Sequence, residues 1–205
     1  DDFYTYRYVN GEFFSNIKDL KNFEKLLNSS KIFWKKKKLK IRTYKNFLKD
    51  CEIFYKKKTI ERVKKFYLKT NIVDKEYIIN SKKVEKFSNL IKKIDWKFVS
   101  KGIPSRFHGD FHFENIIFNK NKKKFTFLDW RQDFNDNLIY GDIYYDLAKL
   151  MHGLIVSHEI VLKKIFLINI KKKNIRVNIK RKKHLIKFEN YFCKWILLNN
   201  LSQKK

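Results

Sequence analysis

The sequence predicts an α+β fold, mainly helical, arranged around one small β-hairpin. Apolar residues recur at helical spacing through much of the chain, as in Ile17, Leu20, Phe23 and Leu27, and again in Leu185, Phe188, Phe192, Trp195 and Ile196. Two short apolar runs, Ile116 to Phe118 and Phe125 to Leu128, flank the Lys- and Asn-rich turn from Asn119 to Lys124. The 205 residues, 43% hydrophobic and 17% aromatic, suffice for a single core of ordinary size.

Taken in order, Tyr4 to Tyr8 alternates and predicts a short strand, followed by a turn at Asn10-Gly11. Ser15 or Asn16 caps the first helix. Lys31 to Lys40 holds six Lys and reads as an exposed helix end or loop. Ile41, Tyr44, Leu48, Cys51 and Tyr55 form the apolar face of a second helix. Thr59 caps a third, with Ile60, Val63 and Phe66 inward. Val84, Phe87, Leu90, Ile91 and Ile94 predict another helix, and Lys101-Gly102-Ile103-Pro104 interrupts the pattern. After the hairpin, Asp142 caps a helix reaching Ser157, with Ile143, Leu147, Leu150, Met151 and Leu154 on its buried side. Ile160 to Asn169 reads as helical. Lys171 to Lys183, with eight basic residues and no acid, reads as a loop or exposed hairpin, and His184 to Asn200 as a closing amphipathic helix.

The chemistry concentrates between His108 and Trp130. Asp110 stands five residues before Asn115, and Asp129 follows the hairpin. Phosphoryl transfer from ATP needs a carboxylate to orient the attacking hydroxyl, and an Asn and an Asp to hold magnesium. This HGDFHFEN motif, followed by Phe-Leu-Asp-Trp, resembles the catalytic core of aminoglycoside phosphotransferases and choline-kinase-like small-molecule kinases. GDIYYDLAKL (Gly141 to Leu150) resembles that family's Asp-Leu-Ala helix, and YTYRYVNGEFFS (Tyr4 to Ser15) its hinge strand and turn.

The resemblance implies the carboxy-terminal lobe of a protein-kinase-like fold, with residues 1–15 as hinge and residues 16–205 as the lobe. It also implies ATP and Mg2+ as cofactors. Asp110 would align the acceptor hydroxyl and take its proton, while His108 braces the loop. Asn115 and Asp129 would hold magnesium. Ile117 and Leu128 would lie against the adenine, and the backbone at Tyr6 and Tyr8 would bond its edge. The acceptor would be a hydroxyl of an amino sugar, of choline or ethanolamine, or of a cell-surface sugar. Two positions depart from the family pattern: Glu114 stands where Gly is common, and Arg131 where an acid is common. No stretch resembles a Gly-rich phosphate loop with its Lys, and the chain begins Asp1-Asp2. An amino-terminal lobe is therefore expected upstream, with the 205 residues inactive without it.

The formal charge is +28, from 49 Lys and Arg against 21 Asp and Glu. Such a field favours nucleic acid or anionic membranes. Yet Lys, Asn, Ile, Phe and Tyr are enriched together, all with AT-rich codons, and the Lys residues spread over helical faces. Genome composition explains the set, so nucleic acid is not the expected partner. A basic nucleic-acid-binding module and a catalytically inactive pseudokinase remain the alternatives, against which Asp110, Asn115 and Asp129 are all in place. Residues 125 to 148 reverse the sign: Asp129, Asp133, Asp136, Asp142 and Asp146 face only Arg131. Clustered carboxylates call for a cation, either magnesium or a cationic acceptor. Arg131 argues instead for an anionic acceptor.

His108, Asp110 and His112 form an HxDxH pattern that would suit zinc, but the remaining ligands of a zinc site are not evident. Neither Cys51 nor Cys193 has a nearby His, and both read as buried thiols of a cytoplasmic protein. No apolar run is long enough to span a bilayer; Gly153 to Ile170 is interrupted by His158, Glu159, Lys163 and Lys164.

Overall fold

The computed structural model describes residues 8–70 and 72–201. The strand expected at Tyr4 to Tyr8 falls largely outside them, and Tyr8 itself is irregular and 86% exposed. Pairing begins instead at β1 (Glu12–Phe13), after Gly11. A 3-10 turn over Phe14–Asn16 follows, and α1 (Leu20–Ser30) starts later than Ser15 or Asn16 would allow. Its cap is Asp19, whose carboxylate accepts from the Lys21 N–H at 3.1 Å.

The Lys-rich stretch that follows is not a free loop. Phe33 and Trp34 are buried within it, and the Lys37 N–H donates to the Pro104 carbonyl at 2.7 Å. The two helices expected either side of Thr59 are one, α2 (Ile41–Thr70), 30 residues long. No Gly or Pro interrupts this stretch, and Thr59 continues the helix because nothing turns the backbone there. Its first half buries Phe47, Cys51 and Phe54; its second half leaves Phe66 and Leu68 exposed.

Val84 belongs not to a helix but to β3 (Lys82–Val84), which pairs with β2 (Tyr77–Ile79); α3 (Phe87–Lys92) and α4 (Trp96–Val99) follow. The central hairpin forms as expected from β5 (Ile116–Asn119) and β6 (Lys124–Phe127), with Ile116 opposite Phe127 and Ile117 opposite Thr126. β1 completes a three-stranded antiparallel sheet, β1-β5-β6. β4 (Pro104–Ser105) pairs with β7 (Gly141–Asp142) and brings the start of α5 (Ile143–Ile155) beside the segment leading to His108. Asp142 caps α5 by accepting from the Tyr144 N–H at 3.1 Å.

The helix expected over Ile160 to Asn169 stops early, as α6 (His158–Leu162). β8 (Phe166–Lys171) then pairs with β9 (Asn174–Ile179) along its whole length. Alternating β-branched residues suit a strand, and Lys172 makes the turn in the left-handed region at φ 52°. β9 also pairs parallel to β2, giving a four-stranded sheet β3-β2-β9-β8. α7 (Lys183–Leu198) closes the fold as expected, burying Leu185, Phe188, Phe192 and Trp195. Cys193, expected inside, is exposed, because it follows Phe192 by one residue and so turns about 100° away from the buried stripe.

Aromatic packing holds the helices to the hairpin. Phe23 of α1 stacks on Phe188 of α7 at 4.5 Å, and Phe14 lies 5.1 Å from Phe113. Trp34 meets Phe111 at 4.9 Å. A second cluster joins Phe47, Cys51 and Phe54 of α2 to Phe107 and Phe134. The segment from Phe107 to Phe134 is thus gripped from both sides. Among the described residues no helix is long and apolar enough to cross a membrane.

Phe23 is fully buried against Phe188. Phe23→Ala should lower the unfolding free energy by about 3–5 kcal/mol. Chemical denaturation should show a lower midpoint at unchanged slope.

Candidate active site

The loop from His108 to Asn115 has little regular structure of its own and is held by Asp146, in the first turn of α5. The Asp146 carboxylate accepts from the backbone N–H groups of His108 and Gly109, both at 2.7 Å, and from the Trp34 indole at 2.9 Å. Asp146 is completely buried, and burial pushes its carboxyl up to about 6 even though these three donors favour the charged form. Gly109 sits at φ 83°, where side chains are strained, and a Cβ there would stand 2.2 Å from the Cβ of Arg131. Only glycine allows the loop to pass this close.

His108 is buried beneath Trp130, with ring centroids 4.7 Å apart. Its Nδ1 accepts from the Asp110 N–H at 3.3 Å. Burial lowers its pKa to about 4, against the opposing pull of Asp110 and the Leu128 carbonyl.

Asp110 is half-buried at the loop's edge. Lys149 of α5 places its Nζ 2.5 Å from Asp110 Oδ1, and His112 Nε2 lies 3.3 Å from Oδ2. Burial alone would raise the Asp110 carboxyl; Lys149 and His112 outweigh it and hold it below the ordinary carboxylate range. His112 bridges onward, its Nδ1 3.0 Å from Glu114 Oε2. That contact raises the His112 pKa despite burial, with Asp110 adding to it. Both nitrogens of His112 are thus engaged by carboxylates and His108 is packed under an indole, so the HxDxH pattern is not arranged as a zinc site.

Asn115 is buried and turns its amide nitrogen back to Asp110, donating to the carbonyl at 3.1 Å and to Oδ2 at 3.3 Å. Its side-chain oxygen is left for another ligand. Two backbone bonds place Asp129 beside it: the Leu128 N–H donates to the Asn115 carbonyl, and the Arg131 N–H to the His108 carbonyl, each at 2.8 Å. Between these anchors Asp129 takes a left-handed conformation at φ 53° and is exposed. Asp tolerates that region better than most residues. It makes no hydrogen bond or ion pair with the described residues. An amide oxygen and a free carboxylate are the hard donors that suit magnesium, which keeps much of its water.

The hairpin has two faces. Ile116 and Phe118 point into the core, whereas Ile117, opposite Thr126 and Phe13, shares the outer face with Leu128. Tyr6 lies outside the described residues, and the exposed Tyr8 is not drawn into this cluster.

The loop, hairpin and capped helix follow one another on an α+β fold in the order of the sequence motifs. A model of the phosphotransferase enzyme family (APH) matches residues 81–159, which include His108, Asp110, Asn115, Asp129 and Asp146. The match assigns this stretch to that family, in agreement with the aminoglycoside phosphotransferase and protein-kinase-like resemblance carried by the motifs. No curated protein and no solved structure gives a match.

Lys149 and Trp34 were not identified as site residues from the sequence. Lys149 lies three residues after Asp146 and four after Tyr145, so its helical face was derivable. Trp34 was hidden in a run of Lys, with nothing local to mark its indole as a donor to a distant carboxylate.

The His108 ring should titrate with a midpoint near pH 4 in an NMR titration, while His112 titrates above its ordinary value. A folded pKa below the unfolded one means that His108 contributes fully above about pH 6.5 and loses up to about 3 kcal/mol as the pH falls to 4. Asp146 has the opposite sign, since its protonation below about 6 relieves its burial. The ring shift therefore isolates His108 where a bulk melt would not.

Proposed function

We propose that the protein is an ATP- and magnesium-dependent phosphotransferase that moves the γ-phosphate to a hydroxyl of a small molecule. The observation that carries the reading is the joint placement of Asp110, Asn115 and Asp129. Asn115 is bonded to Asp110, and the 128–131 turn is stapled at both ends to the same loop.

In this reading the Asp110 carboxylate accepts a hydrogen bond from the acceptor hydroxyl, aligns it and takes its proton late in transfer. Its ionised state, favoured by Lys149 and His112, suits that task. Asn115 and Asp129 would hold magnesium, which supplies charge that offsets the phosphates. The outer face of Ile117 and Leu128 would receive the adenine, with the backbone at Tyr6 and Tyr8 bonding its edge. The protein contributes positioning and fixed electrostatics more than covalent chemistry. The two thiols, one of them exposed and free, fit a reducing cytoplasm.

The test is γ-phosphate transfer by the full-length protein to a panel of hydroxyl acceptors. Asp110→Asn should lower kcat by about 10²–10⁴-fold with KM for Mg-ATP nearly unchanged. Turnover equal to the parent's would reject Asp110. Asp129→Ala should raise the magnesium needed for half-maximal turnover by about tenfold or more. An unaltered magnesium dependence would remove Asp129 from the ligand set. Mg-ATP binding without transfer to any acceptor would favour a binding-only pseudokinase.

A further inference from the structure

Arg131 and Lys58 meet across one aromatic ring. The guanidinium carbon of Arg131 lies 5.2 Å from the centre of the Phe54 ring, and Lys58 Nζ lies 4.0 Å from the same centre. Lys58 Nζ also donates to the Tyr145 hydroxyl at 3.1 Å. Both cations are tied to the Asp110 loop. The Arg131 side chain packs against Gly109 and its backbone N–H donates to the His108 carbonyl, its Nε donating to the Asp133 carbonyl at 2.7 Å, while Tyr145 precedes Lys149 by one helical turn on α5. Lys149 reaches Asp110 itself. Arg131, Phe54, Lys58 and Tyr145 thus form one run of contacts, with Arg131 next to Gly109 at one end and Tyr145 a helical turn before Lys149 at the other.

The carboxylates that would neutralise this run of contacts are committed elsewhere. Asp142 is buried, accepting from the Tyr55 hydroxyl at 2.6 Å and the Ile103 N–H at 2.9 Å. Asp146 is spent on the loop. Asp133 stands 3.8 Å from Arg131 and partly balances it. Lys58 has no carboxylate partner among the described residues, although it is half-buried. A partly desolvated cation held against aromatic rings and a phenol, and repelled by Arg131 and Arg62, is costly unless an anion arrives. Asp129 and Asp136 of the acid-rich stretch stay exposed, and neither forms an ion pair with Lys58 or Arg131 among the described residues.

We propose that the acceptor is anionic: a small hydroxyl compound carrying a phosphate group, received by Lys58 and Arg131 while its hydroxyl faces Asp110. This rests on the phosphotransferase reading. The acceptor oxygen bonds to the γ-phosphorus as the bridging bond to the β-phosphate breaks and ADP leaves. The hydroxyl proton passes to Asp110 and then to solvent.

Calorimetric titration of the full-length protein with inorganic phosphate, glycerol 3-phosphate, glucosamine and choline tests it. Both phosphate probes should bind more tightly than the two amines. Lys58→Gln should weaken both by about tenfold or more, and Lys58→Arg should keep the parent affinity. Circular dichroism should show both variants folded. Tighter binding of glucosamine or choline, phosphate affinity indifferent to Lys58→Gln, or no binding of either phosphate probe would each overturn the proposal. Transfer assays of the parent and of Asp110→Asn separate the two readings. No transfer to any acceptor by the parent protein defeats the phosphotransferase reading, and transfer that survives Asp110→Asn rejects only the role of Asp110. Transfer to an amine acceptor that is lost in that variant leaves the phosphotransferase reading standing and defeats this one.

Discussion

A buried carboxylate without a counter-cation organises this protein. Asp146 lies wholly inside, and among the described residues its oxygens accept from N–H groups alone: two from the backbone at His108 and Gly109, one from the Trp34 indole. Burying a charge in this way is expensive, and the upward shift of its carboxyl to about 6 measures the residual cost. The return is geometric. One side chain fastens α5, the loop that carries Asp110, and the segment after α1. Asp142, one turn earlier, repeats the device by capping α5 while binding Tyr55 and Ile103. The two carboxylates turn the start of α5 into an anchor for chain segments that have little hydrogen bonding of their own.

Once the loop is anchored, the remaining candidate groups are placed by short backbone bonds. The 128–131 turn donates to Asn115 at one end and to His108 at the other. That leaves Asp129 exposed in a left-handed conformation, in the turn whose Leu128 N–H bonds the Asn115 carbonyl. Gly109 lets Arg131 close against the loop. The left-handed backbone at Gly109 and Asp129 lies between the two aromatic clusters that hold this segment.

Charge is distributed with the same economy. The chain carries +28 overall, and most Lys residues are solvated. Near the loop the cations are selected by contact rather than number. Lys149 meets Asp110 directly, and Lys58 is held against Phe54 and Tyr145. The acids that look like a cluster in the sequence are divided between structure and surface: Asp142 and Asp146 go inside, and Asp129 and Asp136 stay exposed.

The sequence by itself determined the helical character, the central hairpin, the Asp142 cap and the order His108, Asp110, Asn115, Asp129. These depend on local periodicity, turn chemistry and spacing, which a linear reading contains. What it misjudged shares one cause. Thr59 had a helix to cap only if the backbone turned there, and α2 runs through it. Residues 166–171 form a strand because 174–179 pair with them, and those pair in turn with β2, far earlier in the chain. Only the tertiary structure decided that Trp34 would reach Asp146, that Lys149 would hold Asp110, and that Lys58 and Arg131 would share a ring. Each of these joins residues whose separation along the chain leaves no local mark, and each is set by the aromatic packing that brings α2, α5 and the loop together.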